Sequence, residues 1–160
     1  MKLRLAAVLA VGAVALAVSG AALADHPGGG GVPLGATLTG AAECSAPGDC
    51  GKGDLDGSGT AFFRLNPERE EICFDVRTTG ADPFFASHIH VAPAGSPGPI
   101  VVTITGAFSG SASGCVHAAE ELIVAIIQNP ENYYYNAHNT AFPGGALRGQ
   151  LGRVAPGQSK

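Results

Sequence analysis

Short apolar runs, each bounded by Gly, Pro or Asn, are the feature that most restricts the fold of this chain. Leu34, Ala36 and Leu38 alternate with small or polar neighbours, as in a strand with one buried face. The later runs are GTAFFRL (59–65), EICFDVRT (71–78), FFASHIHV (84–91), PIVVTI (99–104), NYYYNAHNT (132–140) and GALRGQL (145–151). Their spacing predicts a mainly β fold, an antiparallel Greek-key β-sandwich or barrel of about seven to eight strands.

One segment, HAAEELIVAIIQNP (117–130), departs from this alternation. Its apolar residues recur at helical spacing, two glutamates lie in the favoured first turn, and Pro130 follows the last apolar position. This pattern predicts one short helix. Because strands do not alternate with helices along the chain, a doubly wound α/β fold is excluded.

The first 24 residues have the features of a secretory signal peptide. Lys2 and Arg4 precede an apolar run over 5–18, and Ala22-Leu23-Ala24 is a small-residue cleavage pattern. We therefore expect cleavage near Ala24 and export to the periplasm or the extracellular space. The expected exported chain has a flexible Gly/Pro leader over 25–33, one domain over 34–152 and a C-terminal tail over 153–160.

Charge limits the kinds of partner. Removal of Lys2 and Arg4 leaves seven basic residues against thirteen acidic ones, hence a formal charge of −6 for the exported chain. No basic cluster remains to neutralise nucleic-acid phosphates or to attach the chain to an anionic membrane surface. We therefore expect neither a nucleic-acid partner nor, after signal cleavage, a membrane.

The four cysteines all lie in the exported part, which predicts two disulfides in an oxidising compartment. Three pairings are formally allowed. Cys44 and Cys50 flank the turn-rich insert SAPGD, which can close on itself and leave Cys73 to pair with Cys115, and we favour this arrangement. A zinc site made of all four cysteines is the alternative, but the chain lacks paired CxxC spacing.

Two histidines, His88 and His90, lie on one predicted strand just before a loop rich in Pro and Gly. Side chains alternate along a strand, so both rings share a face, and we expect Phe85, Ile89 and Val91 on the opposite, core face. The same parity argument turns His138 away from the core. If the strand order brings them together, the three imidazoles form a nitrogen set suited to zinc or copper. The fourth position would then be left to water, so we expect an open, solvent-facing site.

The alternative for these histidines is that they are polar residues on a solvated sheet face. His26 and His117 belong to no motif, and we expect both to be solvated. The segment DLDGSGT (54–60) resembles the start of a calcium loop, but Leu65 stands where the bidentate Glu is required. We therefore interpret it as a turn leading into a strand.

Motifs of known catalytic sites are absent from the sequence, which contains no GxSxG, HExxH or P-loop. Pairing of all four cysteines also leaves no thiol to act as a nucleophile. No catalytic residue is therefore assigned from the sequence.

Three stretches together resemble the chordin-type domain called CHRD. They are GDLDGSGTAFFRLNPEREEICFDV, ASHIHVAPAGSPGPIVV and SGCVHAAEELIVAIIQNPENYYYNAHNTAFPGGALRGQL, in that order. The most specific pieces are the His88-Ile89-His90 triplet with its loop, and Asn136 and His138 followed by PGGALRGQL. The likeness covers about residues 34–152.

The resemblance implies a secreted β-sandwich module, found alone in bacteria, without an established activity. It also implies the Cys73–Cys115 disulfide, whereas the insert with Cys44 and Cys50 departs from the family pattern. Glu43 matches a recurrent acidic position of the family.

The placement of the HxH pair is also similar to that in the copper/zinc superoxide dismutase sandwich. This chain lacks the bridging histidine and the long zinc-ligand loop of that enzyme, so the likeness concerns placement alone. We therefore expect a binding or structural module whose partner is an extracellular protein or a metal ion, copper or zinc. The competing hypothesis is a copper- or zinc-dependent metalloenzyme that uses the same three histidines.

Overall fold

The computed structural model describes residues 30–81 and 83–154. The expected signal peptide, His26 with most of the leader, and residues 155–160 lie outside the described residues. The strands are β1 Val32–Thr39, β2 Cys44–Ala46, β3 Asp49–Cys50, β4 Ser58–Asn66, β5 Glu71–Thr79, β6 Phe84–Val91, β7 Ile100–Thr105, β8 Ser111–His117, β9 Tyr133–Asn139, β10 Leu147–Gln150 and β11 Gly152–Arg153. The helix α1 spans Glu120–Gln128, and 3₁₀ turns span Gly40–Ala42, Pro67–Arg69 and Pro130–Asn132.

Nine strands form one antiparallel sheet, eight of them in the order β7-β6-β9-β10-β1-β4-β5-β8, with β11 also paired to β1. The strands β2 and β3 make a separate small hairpin. The edge strands β7 and β8 approach each other, so the sheet curls nearly into a barrel. This confirms the predicted mainly β, antiparallel class with one short helix. The first long strand pairs with β10, near the end of the described chain, so the sheet depends on contacts that are distant in sequence.

The β4–β5 hairpin shows how the apolar alternation builds the core. Phe63 pairs with Phe74 and Leu65 with Ile72, and all four side chains are buried on one face. In the connecting turn, the Asn66 side chain accepts a hydrogen bond from the backbone N–H of Arg69 at 3.1 Å. The predicted hairpin is therefore confirmed, since the apolar pattern and the turn chemistry favour the same register.

The helix α1 covers one end of the core. Ile123 and Ile126 are fully buried, and Leu122 and Ile127 pack against the core from its edge. Pro130 begins the next turn, just past the end of the helix. The helical spacing of these residues was therefore interpreted correctly.

Two boundaries and one core assignment differ from the sequence-based expectations. Val32 and Pro33, assigned to the leader, belong to β1 and pair with Leu65 and Arg64. Arg153, assigned to the tail, pairs with Leu34. The expectation that Phe85 lies in the core is wrong, because a register shift between Phe84 and Ala86 places Phe84 in the core and leaves Phe85 48% exposed.

The Asp54 loop is a turn that leads into β4, as interpreted. The Asp54 Oδ1 atom accepts a hydrogen bond from the backbone N–H of Asp56 at 3.2 Å, a side-chain turn of the kind that Asp favours. The strand β4 begins two residues later, at Ser58.

Both disulfides join residues that face each other across paired strands. Cys44 is bonded to Cys50 in the β2–β3 hairpin, and Cys73 is bonded to Cys115 between β5 and β8. A zinc site made of the four cysteines is therefore excluded. Two disulfides indicate folding in an oxidising environment. Among the described residues, no helix is long and apolar enough to span a membrane.

The two bridges should contribute unequally to stability. The Cys73–Cys115 bridge closes a sequence separation of 42 residues and the Cys44–Cys50 bridge one of 6. Loop-closure entropy predicts that the Cys73→Ser/Cys115→Ser variant loses about 4 kcal/mol of unfolding free energy, and the Cys44→Ser/Cys50→Ser variant about 2 kcal/mol. Urea unfolding of the three proteins measures both values. An equal loss, or a larger one for the short loop, would contradict the prediction.

Candidate metal centre

The pairing of β6 with β9 brings the three candidate ligands together. In this antiparallel register Ala86 lies opposite His138, His88 opposite Asn136, and His90 opposite Tyr134. Side chains of directly paired residues point to the same face, so the three imidazoles share the face of the sheet away from the apolar core. Ile89 and Tyr135, paired on the other face, are fully buried in that core. The predicted face of the histidines is therefore correct.

The histidines are close enough to bind one ion together. Each ring offers one ligand atom, and these atoms lie within 4.8 Å of one another. The Nδ1 atom of His88 is 3.1 Å from the Nε2 atom of His138. Four donors around a tetrahedral zinc ion, with bonds of about 2.0–2.1 Å, lie about 3.3 Å apart, so small ring rotations produce that geometry.

The expectation of an open, solvent-facing cluster is wrong. His90 and His138 are only 7% and 8% exposed, and His88 is partly buried. Two segments cover them, the Pro/Gly loop 92–99 and the turn around Pro143. Parity along a strand could not predict this burial. The covering loops follow β6 and β9 in sequence, but where they lie depends on tertiary contacts.

The loop 92–99 is held down by polar side chains that sequence reasoning did not assign to the site. The Nη2 atom of Arg148 donates to the carbonyl oxygens of Pro93 and Ser96 at 3.2 and 2.9 Å. The backbone N–H of Gly98 donates to the Tyr134 hydroxyl at 3.2 Å. A Cβ atom at Gly98 would collide with the carbonyl oxygen of Val91, so the loop can return to the sheet only with glycine at this position.

Arg148, Tyr134 and His90 form a buried stack. The Arg148 guanidinium carbon lies 3.4 Å from the centre of the Tyr134 ring, and that ring stacks on His90 with centroids 4.7 Å apart. Arg148 is 1% exposed and Tyr134 is 2% exposed. In the sequence, Tyr134 is marked by sharing the strand parity of His138. Arg148 is marked only by its place in the run PGGALRGQL, which resembles the CHRD family.

Backbone carbonyl groups determine which ring nitrogen of two histidines carries the proton. The Nδ1 atom of His90 is 2.8 Å from the Gly98 oxygen, and the Nδ1 atom of His138 is 3.1 Å from the Pro143 oxygen. A carbonyl oxygen only accepts hydrogen bonds, so the Nδ1 atom of His90 is a donor, and the Nδ1 atom of His138 is the donor in the tautomer that satisfies Pro143. In these tautomers each Nε2 atom is unprotonated, the arrangement found in metal-binding histidines.

One of these Nε2 atoms lacks a well-formed hydrogen bond. Within the described residues, the buried Nε2 atom of His90 has no partner at hydrogen-bonding geometry, although the neighbouring Asn136 side chain makes a weaker contact with this ring. Buried polar atoms without partners are rare in folded proteins and call for a physical explanation. An ion bound among the three rings would provide one.

Burial also keeps the rings uncharged. Desolvation, with the charges of His138 and His90 as smaller causes, lowers the pKa of His88 to about 4. Burial is likewise the main cause that lowers the pKa values of His90 and His138. Neutral imidazole is the form that binds metal ions, so the fold keeps the ligands ready to bind.

His117 lies apart from this cluster, at the end of β8. It is exposed, and its Nδ1 atom donates to the Glu70 carbonyl oxygen at 3.0 Å. It was not expected to be a ligand, and its position is consistent with that expectation.

Lowered histidine pKa values predict how stability depends on pH. Below pH 6.5, the ordinary value, the unfolded chain binds protons that the folded chain does not. The unfolding free energy of the chelator-treated protein should therefore be highest above pH 6.5 and fall as the pH is lowered toward about 4, the pKa of folded His88. Urea unfolding across this range should show a smaller pH dependence for His88→Gln than for the wild type. His117→Gln is the control, and an unchanged slope in His88→Gln would contradict the prediction.

Comparison with curated proteins and with solved structures finds no match to this chain. A family model described as the CHRD domain does match, over residues 34–151. The matched region begins within β1, ends just after β10, and contains the three histidines together with Asn136, Arg148 and Glu43. Since the match covers well over half of the sequence, the chain belongs to the CHRD domain family.

Proposed function

We propose that this chain is an exported CHRD module that binds one transition-metal ion, zinc or copper, through His88, His90 and His138, as a binding or structural module. The observation that carries the proposal is the convergence of three ligand atoms within 4.8 Å of one another. In two of the rings, His90 and His138, the Nδ1 atom contacts a backbone carbonyl group, which leaves Nε2 for the metal. Imidazole ligands of this number suit both metals.

Export is part of the proposal. The basic and apolar N-terminal pattern with its Ala22-Leu23-Ala24 cleavage motif supports a secreted protein, and the two disulfides agree with an oxidising compartment. The excess of acidic residues supports a partner that is neither nucleic acid nor membrane. An extracellular protein is the class of macromolecular partner that remains. Because loops cover the histidines, a bound metal would hold those loops in place.

A role for the metal in stability follows from the position of the ligands. His138 lies beside the turn that contains Pro143, and His90 contacts the loop that contains Gly98. An ion that bridges β6 and β9 therefore also fixes the two covering segments. Because the folded chain presents the ligands together and the unfolded chain does not, binding adds directly to folding stability.

Metal titration tests the proposal. Tag-free protein, stripped with a chelator, should bind one Zn²⁺ or Cu²⁺ per chain by calorimetry, and a concentration of 100 times Kd should add about 2.7 kcal/mol to the unfolding free energy. Single changes of His88, His90 or His138 to Ala should weaken binding at least about 100-fold, because each removes a direct ligand. His117→Ala and His26→Ala are the matched controls and should bind as the wild type does.

Two results would overturn the proposal. The first is the absence of saturable binding of either metal by the wild type. The second is wild-type affinity in all three single variants. Turnover of superoxide by the copper-loaded protein, abolished by His88→Ala, would instead establish the metalloenzyme alternative.

A further inference from the structure

Asn136 is a buried polar side chain in direct contact with the histidine cluster. It lies on β9 two residues before His138, directly opposite His88, and it is 1% exposed. Its Oδ1 atom is 3.0 Å from the Nε2 atom of His138. Its amide also lies close enough to His90 to oppose, in part, the lowering of the pKa of that ring by burial.

For a neutral His138 ring, the contacts with Pro143 and Asn136 cannot both be hydrogen bonds. A neutral imidazole has one N–H, and for His138 both Pro143 and Asn136 present oxygens that only accept. If Nδ1 donates to the Pro143 oxygen, then Nε2 and the Asn136 Oδ1 face each other with lone pairs. Two such atoms 3.0 Å apart repel unless a cation lies between them.

Glu43 determines the orientation of the Asn136 amide. The Nδ2 atom of Asn136 donates to the Oε2 atom of Glu43 at 3.5 Å, and a carboxylate can only accept. This directs Oδ1 toward the histidines. Glu43 is 4% exposed, and burial raises its pKa, while the charge of Arg148 and the hydrogen bond from Asn136 act in the opposite direction. A Cβ atom at Gly145 would collide with this carboxylate, so the following turn is built around it.

We propose that the Oδ1 atom of Asn136 is the fourth ligand of the metal held by the three histidines, so that the protein closes the site and leaves no position to water. This inference rests on the proposed metal-binding function. It also replaces the expected water ligand by a protein oxygen. Four protein donors in a tetrahedron are typical of structural zinc sites, whereas catalytic sites keep one position open.

Charge balance supports the same arrangement. Three imidazoles and one amide oxygen are all neutral, so they leave the two positive charges of the ion uncompensated. The buried carboxyl group of Glu43 lies one hydrogen bond away through Asn136, and a cation bound among the histidines would favour its ionised, negative form. Glu43 is therefore a positioning residue that orients the ligand amide.

Azide binding to the cobalt-loaded protein tests the fourth ligand. Co²⁺ substitutes for zinc and has a visible spectrum that changes when azide displaces a bound water. The wild type should bind one Co²⁺ and show no spectral change with azide. Asn136→Ala should still bind one Co²⁺ through the histidines, but water should enter the open position and azide should then shift the spectrum.

Asn136→Asp is the matched control, because it keeps an oxygen donor of nearly the same size. It should remain insensitive to azide. A response of the wild type to azide, no response in Asn136→Ala, or a response in Asn136→Asp equal to that in Asn136→Ala would each overturn the inference while the three-histidine site stands. Azide titration of the cobalt-loaded wild type still tests the inference if Asn136→Ala does not fold. Failure of the wild type to bind Co²⁺ would overturn the metal-binding function itself.

The role of Glu43 has a separate readout. Glu43→Gln keeps an oxygen that accepts from the Asn136 amide, so its cobalt-loaded form should not respond to azide. Glu43→Leu removes the acceptor, the amide is free to turn, and azide sensitivity should appear at unchanged cobalt stoichiometry. Azide insensitivity in Glu43→Leu would overturn the positioning role, since a residue needed only for folding would leave the spectrum unchanged.

Discussion

The antiparallel pairing of β6 with β9 is the constraint on which the rest of the molecule depends. One register places Ile89 against Tyr135 on the core face and His88 against Asn136 on the other. A slip of one residue would move every histidine into the apolar core and expose the apolar set. The core therefore fixes the site, because burial of Ile89 and Tyr135 permits only the register in which the imidazoles meet.

Around β6, β9 and β10 the sheet consequently has two covered faces of different chemistry. One is apolar, while the other carries Tyr134, Asn136 and Arg148, all nearly inaccessible to solvent, beside the histidines. Buried polar groups destabilise a fold unless they find partners. Here the partners are backbone carbonyl groups of the covering loops, so the polar face and the loops stabilise each other.

Arg148 shows how this polar layer is balanced. Burial lowers the pKa of its guanidinium group, and the neighbouring Tyr134 and Glu43 act against that effect. Its Nη2 atom holds the loop 92–99, its flat face lies on Tyr134, and Tyr134 in turn stacks on His90. The position of the His90 ring therefore depends on a residue from β10, far away in sequence. Loss of Arg148 would leave the loop, the tyrosine and the histidine without their common support.

The sequence by itself determined the features that depend on neighbouring residues. Alternation of apolar residues identified the long strands and the face of each histidine, helical spacing identified α1, and the turn-rich insert indicated the Cys44–Cys50 closure. Only the tertiary structure decided the rest, because strand order, the bulge that turns Phe85 outward and the burial of His90 arise from contacts between distant segments. Glu43 is the clearest case, because its family position marked it in the sequence but did not reveal its partner. Its contact with Asn136 exists only because the segment that follows β1 and its 3₁₀ turn meets β9 across β10. Local patterns reflect the geometry of a single strand or helix, whereas a site of this kind is made by the order in which strands pair.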